Sequence, residues 1–396
     1  MKIFQINTVC GLGSTGRIVV DIAHVLQKKG YKSYIAYGRG TAPPDVDSWK
    51  MDSALDVYTH ALFARITDGQ GLYSTTATEK LVHKIEEYNP DIIHLHNIHG
   101  YYLNYKILFR FLAEFGRPVI WTLHDCWAFT GHCTYFDFIH CNKWMFECKN
   151  CPQKSSYPAS YFLDRSKENF NLKKSLFTQI KNLYIVTPSH WLATLVKKSF
   201  LRKYPVKVIH NGVDLNIFKP TISDFRKQYN LEGYKIILGV ASPWTLRKGL
   251  MDFTKLLNLL DFHTRIVLVG LNAKQLKNIP PKIIGIRRTN NPQELASIYT
   301  AADVFFNPTY EDNYPTTNLE SLACGTPVVT YDTGGSSESI DEGNGAVVPV
   351  GSICDAWDAI KYFIKQKKCI KIDSRKIDKS YLFDEYSHLY NTLEKI

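Results

Sequence analysis

Short apolar runs alternate with helical stretches along this chain, and the alternation runs twice. "KIFQINTV" is followed by a glycine loop, then by the helical "RIVVDIAHVLQKKG", with Gly30 placed to close it. "KSYIAYG", "DIIHLHN", "PVIWTLHD", "LYIVTPS" and "VKVIHNG" complete a first set of strands. "KIILGVAS", "RIVLVG", "KIIGIRR", "DVFFNPT", "TPVVTY" and "GAVVPV" form a second set. Apolar strands separated by helices predict parallel, doubly wound sheets covered on both faces. At 396 residues the chain is too long for one core. The pattern therefore predicts an α/β protein of two Rossmann-like domains facing across a cleft. The expected domains are 1–213 and 214–380, with "NGVDLNIFKP" at the joint. A helix over 381–396 is expected to pack back on the first domain.

No apolar stretch reaches the 18 residues of a membrane span, and the opening "MKIFQINTVCGLGSTG" is too interrupted for a secretory signal. A cytoplasmic protein is expected. Its formal charge is +11, from 48 Lys and Arg against 37 Asp and Glu. That balance suits phosphate-bearing partners or an anionic membrane surface. Basic residues cluster at "KKSFLRKYPVK" and between Lys361 and Lys379, where solvated helix faces are the plainer explanation. No basic–aromatic module of a nucleic-acid binder is present, so nucleic acid is not an expected partner.

In doubly wound sheets ligands sit beyond the carboxyl ends of the strands, so residues there are the candidates. Gly11-Leu-Gly13-Ser14-Thr15-Gly16 matches the dinucleotide fingerprint, yet the second strand ends in "IAYGRG" without the acid that would hold a ribose. Arg39 could meet a 2′-phosphate instead, which keeps an NADP-dependent oxidoreductase open. The loop's backbone N–H groups suit a phosphate or hydroxyl in either case. His124 closes "PVIWTL"; it is either a ligand-facing group or a buried histidine satisfied by backbone. His94, His96 and His99 crowd another strand end.

In the second half, "YEDNYPTTNLESLACGTPVV" sets Asp312 and Glu320 around a Pro-Thr-Thr turn. Thr317-Asn-Leu-Glu320 fits a capping box, which would make Glu320 a structural residue. Five cysteines crowd 126–151. In a reducing compartment that crowding calls for a metal or for nothing. Cys148-Lys-Asn-Cys151 is a C-x2-C knuckle, and Cys133 and Cys141 could complete a structural zinc site of four thiolates. His132 and His140 are possible substitutes, and buried or idle thiols are the alternative. Cys126, next to His124 and Asp125, is left out.

"VIHNGVDLNIFKP", "RKG", "DNYPTTNLESLACGTPVV" and "TGGSSE" occur in that order. Together they resemble the family 4 retaining glycosyltransferases of the GT-B fold. "TLHDCWAFTGHC" and "STGRI" look most like members from bacterial colanic acid, O-antigen and capsule clusters. The resemblance implies that Asp312 and Glu320 are the family's E-x7-E pair. Asp312 would contact the donor sugar and Glu320 the ribose hydroxyls, with Asp312 one methylene shorter than the usual glutamate. It implies that Lys248, of the K-G element, holds the diphosphate. The arginine expected five residues earlier is replaced by Pro243, and Arg247 either takes its place or points away. His124 would touch the donor sugar. Gly13, Ser14, Thr15 and Gly16 of the first loop, and Asn313, Thr316, Thr317 and Asn318 around the acid pair, are the further expected substrate contacts. His94, His96 and His99 fall to the acceptor side.

The resemblance implies a retaining transfer from a UDP- or GDP-linked sugar to a saccharide acceptor, expected to be lipid-linked, with possible peripheral contact to the inner membrane. The family reaction is a front-face displacement, which asks for positioning and leaving-group stabilisation. No catalytic metal is expected: Asp45-Val-Asp47 lies in a Pro-rich loop and reads as solvated. A non-catalytic nucleotide- or polysaccharide-binding protein is the remaining alternative.

Overall fold

The computed structural model describes residues 1–51, 53–366, 370 and 372–394, so part of the basic stretch Lys361–Lys379 lies outside the described residues. The chain divides into two compact units. One comprises Met1–His210 with Phe383–Ile396, and the other Asn211–Leu382. The boundaries thus fall three residues before and two after those expected at 213 and 380.

The first unit carries seven parallel strands: β1 Lys2–Cys10, β2 Lys32–Gly40, β3 Ser48–Lys50, β4 Ile92–Leu95, β5 Val119–Thr122, β6 Leu183–Thr187 and β7 Val206–Val208. Their order is β3-β2-β1-β4-β5-β6-β7, so the winding reverses between β1 and β4. β3, half-exposed and three residues long, carried no apolar run to announce it. Gly30 takes a positive φ just after the helix Gly13–Lys28, as a helix stop requires.

The second unit has six parallel strands: β8 Lys235–Val240, β9 Thr264–Val269, β10 Ile283–Ile286, β11 Val304–Asn307, β12 Val328–Tyr331 and β13 Gly345–Val348. Their order, β10-β9-β8-β11-β12-β13, reverses between β8 and β11. Successive side chains of a strand point to opposite faces. Ile236, Leu238, Val267, Phe305 and Val328 accordingly enter one core, and Ile237, Ile266, Leu268, Phe306 and Val329 the other. Burial on both faces is why these strands read as unbroken apolar runs.

The helix Asp384–Glu394 belongs to the first unit. Tyr386 and Tyr390 are buried there, their hydroxyls 3.1 Å from Thr122 Oγ1 and 2.7 Å from His94 Nδ1. Lys29 pairs with Asp384, and Lys207 with Glu385 at 2.7 Å. Among the described residues no helix is long and apolar enough to cross a membrane.

Candidate functional site

The switch point of the second sheet brings together two loops, one after β8 and one after β11. The first ends in a short 3-10 turn, Leu246–Lys248, followed by Gly249 at φ 72°. A side chain at Gly249 would place its Cβ 2.0 Å from the Pro308 carbonyl oxygen, so only glycine lets the loops approach. The Tyr310 amide donates to the Arg247 carbonyl at 2.7 Å, and the Thr309 hydroxyl at 3.3 Å. With the backbones stitched, Lys248 Nζ stands 2.5 Å from Asp312 Oδ2.

Asp312 is held on every side. Its Oδ1 accepts from the Asn313 amide at 3.0 Å, and its carbonyl from the Gly335 amide at 2.9 Å. Gly334, at φ 56°, passes so close that a Cβ would lie 2.0 Å from that carbonyl oxygen. "TGGSSE" is therefore a loop shaped against Asp312. Burial pushes the Asp312 carboxyl up, but Lys248, Arg247 and the hydrogen bonds outweigh it and hold the group below the usual carboxylate range. Burial lowers the Lys248 ammonium, and Asp312 restores only part of that. Arg247 donates Nη1 to the Glu311 carbonyl, which fixes its guanidinium beside Asp312.

Glu320 sits in the helix Thr316–Ala323, whose cap position is Pro315. The capping box expected at Thr317 does not form. Pro315 holds an extended backbone and has no N–H for Glu320 to reach, so the helix starts one residue before Thr317. No side chain caps this helix. Thr316 and Thr317 are half-buried at its start. Glu320 is 3% exposed and accepts from the Tyr299 hydroxyl at 3.2 Å. Asn318, an expected substrate contact, has its side chain engaged within the unit as a clamp. Its oxygen accepts from Asn307 at 2.8 Å, and its amide donates to Ser336 and Ser339.

Two further groups escaped sequence reasoning. Tyr299 orients Glu320, and Asp252 accepts from the Tyr310 and Tyr331 hydroxyls at 2.8 and 3.0 Å. The latter ties the helix Leu250–Leu257 to the loop after β11. Neither spacing nor composition signals these residues.

In the first unit, Asn7 donates to the Thr15 and Val9 carbonyls at 3.2 and 2.7 Å and shapes the glycine loop. Gly13 and Ser14 are exposed, Thr15 is half-buried and Gly16 is buried. A buried chain then runs from Ser33 through Gln5 and His96 to His124. Gln5 Nε2 donates to Ser33, so its Oε1 accepts from His96 Nε2–H. His96 Nδ1 is then an acceptor, and His124 Nε2–H must donate to it across 3.2 Å. That leaves His124 Nδ1 as an acceptor. Burial and His99 push His124 down to about 4 against the pull of Asp125, so the ring is neutral at pH 7.

Of the three histidines expected on the acceptor side, His94 has both ring nitrogens engaged in the interior, by Thr122 and Tyr390. It is a core residue. His99 pairs with Asp125 at 2.8 Å, and Asp125 caps the Trp127 amide.

A family model described as Glycosyltransferase Family 4 matches residues 15–217, and one described as Glycosyl transferases group 1 matches 221–379. The chain belongs to glycosyltransferase family 4. WcaC of Escherichia coli (strain K12), named for colanic acid biosynthesis, is 24% identical over 373 residues, 88% of this chain and 87% of that one. Sucrose-phosphate synthase from Thermosynechococcus elongatus matches 99% of this chain and 98% of its own, at TM-score 0.72 and 16% identity. HepE of Anabaena, solved with UDP, matches 99% and 100% at TM-score 0.69 and 16% identity. Both solved structures share the architecture of two doubly wound units, the GT-B fold. Family membership sets aside the NADP oxidoreductase and the non-catalytic binding protein.

This glycosyltransferase carries its cysteine-rich excursion between β5 and the helix Ser166–Phe177. The excursion holds only short 3-10 turns, and Phe129, Phe136 and Trp144 pack against one another in it. Cys133, Cys141, Cys148 and Cys151 line one cavity there, whereas Cys126 lies outside it.

Proposed function

We propose that this glycosyltransferase moves a hexose or related sugar from a UDP- or GDP-linked donor, with retention at the anomeric carbon. The acceptor is a lipid-linked saccharide, and the product enters a surface polysaccharide such as colanic acid, O-antigen or capsule. The observation that carries the reading is the Lys248–Asp312 pair at the switch point, with Glu320 buried in the adjacent helix. Likeness to WcaC supports the pathway class, and likeness to HepE, solved with UDP and with UDP-glucose, supports the donor class.

Each group has a role suited to its place. The Lys248 ammonium stabilises the departing diphosphate. Asp312, held ionised, accepts from a donor-sugar hydroxyl. Glu320 accepts from the ribose hydroxyls, its carboxylate steadied by Tyr299. The uncapped N–H groups at Thr316 and Thr317 favour an anion. In the first unit, His124 Nδ1 accepts from a sugar hydroxyl, and the glycine loop offers backbone N–H groups. The acceptor hydroxyl forms its bond to the anomeric carbon on the face that the phosphate leaves. The C–O bond to phosphate breaks, and the acceptor proton passes to the leaving phosphate oxygen.

An apolar surface in the first unit supports a lipid-linked acceptor and work at the inner membrane, on its cytoplasmic side. On the helix Ala54–Thr67, Leu55, Tyr58, Leu62 and Phe63 are 69%, 65%, 44% and 51% exposed. Phe162, 71% exposed, follows Tyr161, whose amide bonds the Arg65 carbonyl. Apolar residues beside basic ones suit an anionic lipid surface. The test is incubation with UDP- and GDP-sugars and a membrane extract, followed by NMR of the product linkage. Release of UDP or GDP with a retained anomeric configuration is expected; inversion, or no release with any donor, overturns the reading.

A further inference from the structure

We propose that Cys133, Cys141, Cys148 and Cys151 bind one zinc ion, which staples the excursion between β5 and the helix Ser166–Phe177. The four residues come from separate points of an irregular segment and converge on one cavity. The cavity has room for about one water-sized occupant.

The surroundings are those of a thiolate centre. Cys133 and Cys151 are hydrogen-bonded through their sulfurs. Cys148 Sγ accepts from the Gly131 amide at 3.2 Å, and Cys151 accepts from the Gln153 backbone two residues on. Such N–H···S bonds stabilise sulfur that carries negative charge. Lys173 is fully buried; its ammonium donates to the Trp127 and Thr130 carbonyls at 2.8 and 3.1 Å and lies 3.4 Å from the centroid of the Trp127 ring. Zinc with four thiolates carries two negative charges, and Thr130, which accepts from Lys173, lines the cavity.

His132 supplies an independent pointer. It is 1% exposed, lines the same cavity, and its Nε2 is buried with no hydrogen-bond partner among the described residues. Its Nδ1 is fixed on Asp68 Oδ1 at 2.6 Å. An orphaned buried ring nitrogen is costly unless a hydrogen-bond partner satisfies it, and a zinc-bound thiolate sulfur beside His132 can serve as one. Among the described residues no three of these donor atoms stand within 4.8 Å of one another. Binding the ion would therefore ask the cysteines to turn about their single side-chain torsion. Four thiolates are the softer set and the one zinc favours, with His132 beside them.

The ion is structural. The Phe129, Phe136 and Trp144 cluster has almost no regular backbone around it, and a tetrahedral crosslink supplies what hydrogen-bond ladders do not.

The test uses full-length protein purified without added metal. Elemental analysis should find about one zinc per chain. Exchange for cobalt should give the charge-transfer spectrum of four sulfur ligands. Cys148→Ser should lower zinc content, whereas Cys354→Ser, an exposed cysteine of the second unit, should not. Hydrogen exchange over 126–165 should rise on chelation and fall again when zinc is returned. Protein without metal whose four thiols titrate freely, or pair as disulfides, overturns the site. A three-sulfur, one-nitrogen spectrum that changes in His132→Gln overturns the assignment of Cys141.

Discussion

Lys248 Nζ and Asp312 Oδ2 lie 2.5 Å apart, on loops that follow two different strands at the switch point of the second sheet. The pair forms because Gly249 and Gly334 let three backbones crowd together. The pairing fixes the Lys248 ammonium in place, and the role proposed for it, stabilising a leaving group, requires a cation fixed in advance.

Lys248→Ala should lower turnover by about 10²–10³, or roughly 3 kcal/mol, as loss of one preorganised donor does. It also strands the Asp312 carboxylate. Because Lys248 is 22% exposed, the stability cost should be only on the order of 1 kcal/mol. Adding Asp312→Asn should restore the melting temperature and leave turnover low. Near-normal turnover in the single variant would sink the assignment.

Glu320→Gln should weaken nucleotide binding about tenfold, since a charge-assisted hydrogen bond becomes a neutral one. The amide still accepts from Tyr299, and Glu320 takes no part in a cap. The melting temperature should therefore move little. Calorimetry with UDP and GDP reads the first effect, and thermal unfolding the second. Unchanged affinity with a lowered melting temperature would make Glu320 a packing residue.

Strands were legible where both faces are buried, because an unbroken apolar run has few other readings. β3 was not, since three half-exposed residues carry no such run. Lys248 and Asp312 could be placed from motifs, because each lies just after a strand. The role of Asn318 could not: its partners Asn307, Ser336 and Ser339 are set by how the helix Thr316–Ala323 lies across the sheet. The capping box failed on one residue, Pro315, which moved the start of the helix. His94 looked like a site residue because it ends a strand. Only the return of the chain, which brings Tyr390 to it, shows it to be core.

Acid should unfold the first unit before the second. Burial drives His60 and His94 down to about 3 and His124 to about 4, and His96 well below its ordinary 6.5. These groups are neutral when folded and protonate when unfolded. Their contribution is complete above about pH 6.5 and is lost as pH falls toward the folded values. The slope is about 1.4 kcal/mol per histidine per pH unit. Hydrogen exchange between pH 7 and 4.5 should show protection lost first in β4 and β5. Equal loss in β8 and β11 would contradict it.

Leu62 and Phe63 lie on the exposed face of the helix Ala54–Thr67, while His60, Ala61 and Ala64 hold that helix to the first unit. Changing the outer pair to serine removes apolar area without opening the core, so the melting temperature should hold. If the face meets lipid, each buried side chain contributes about 1.5–3 kcal/mol. Partial insertion should realise only part of that, so sedimentation with vesicles of phosphatidylglycerol and phosphatidylethanolamine should weaken about tenfold or more. Turnover on a water-soluble acceptor analogue should be unchanged, because neither residue is among the groups proposed to hold the donor. Undiminished vesicle binding by the double variant would remove this face from the membrane contact. It would leave the basic segment 197–207 as the surface to examine, and high salt should then release the protein where loss of apolar area did not.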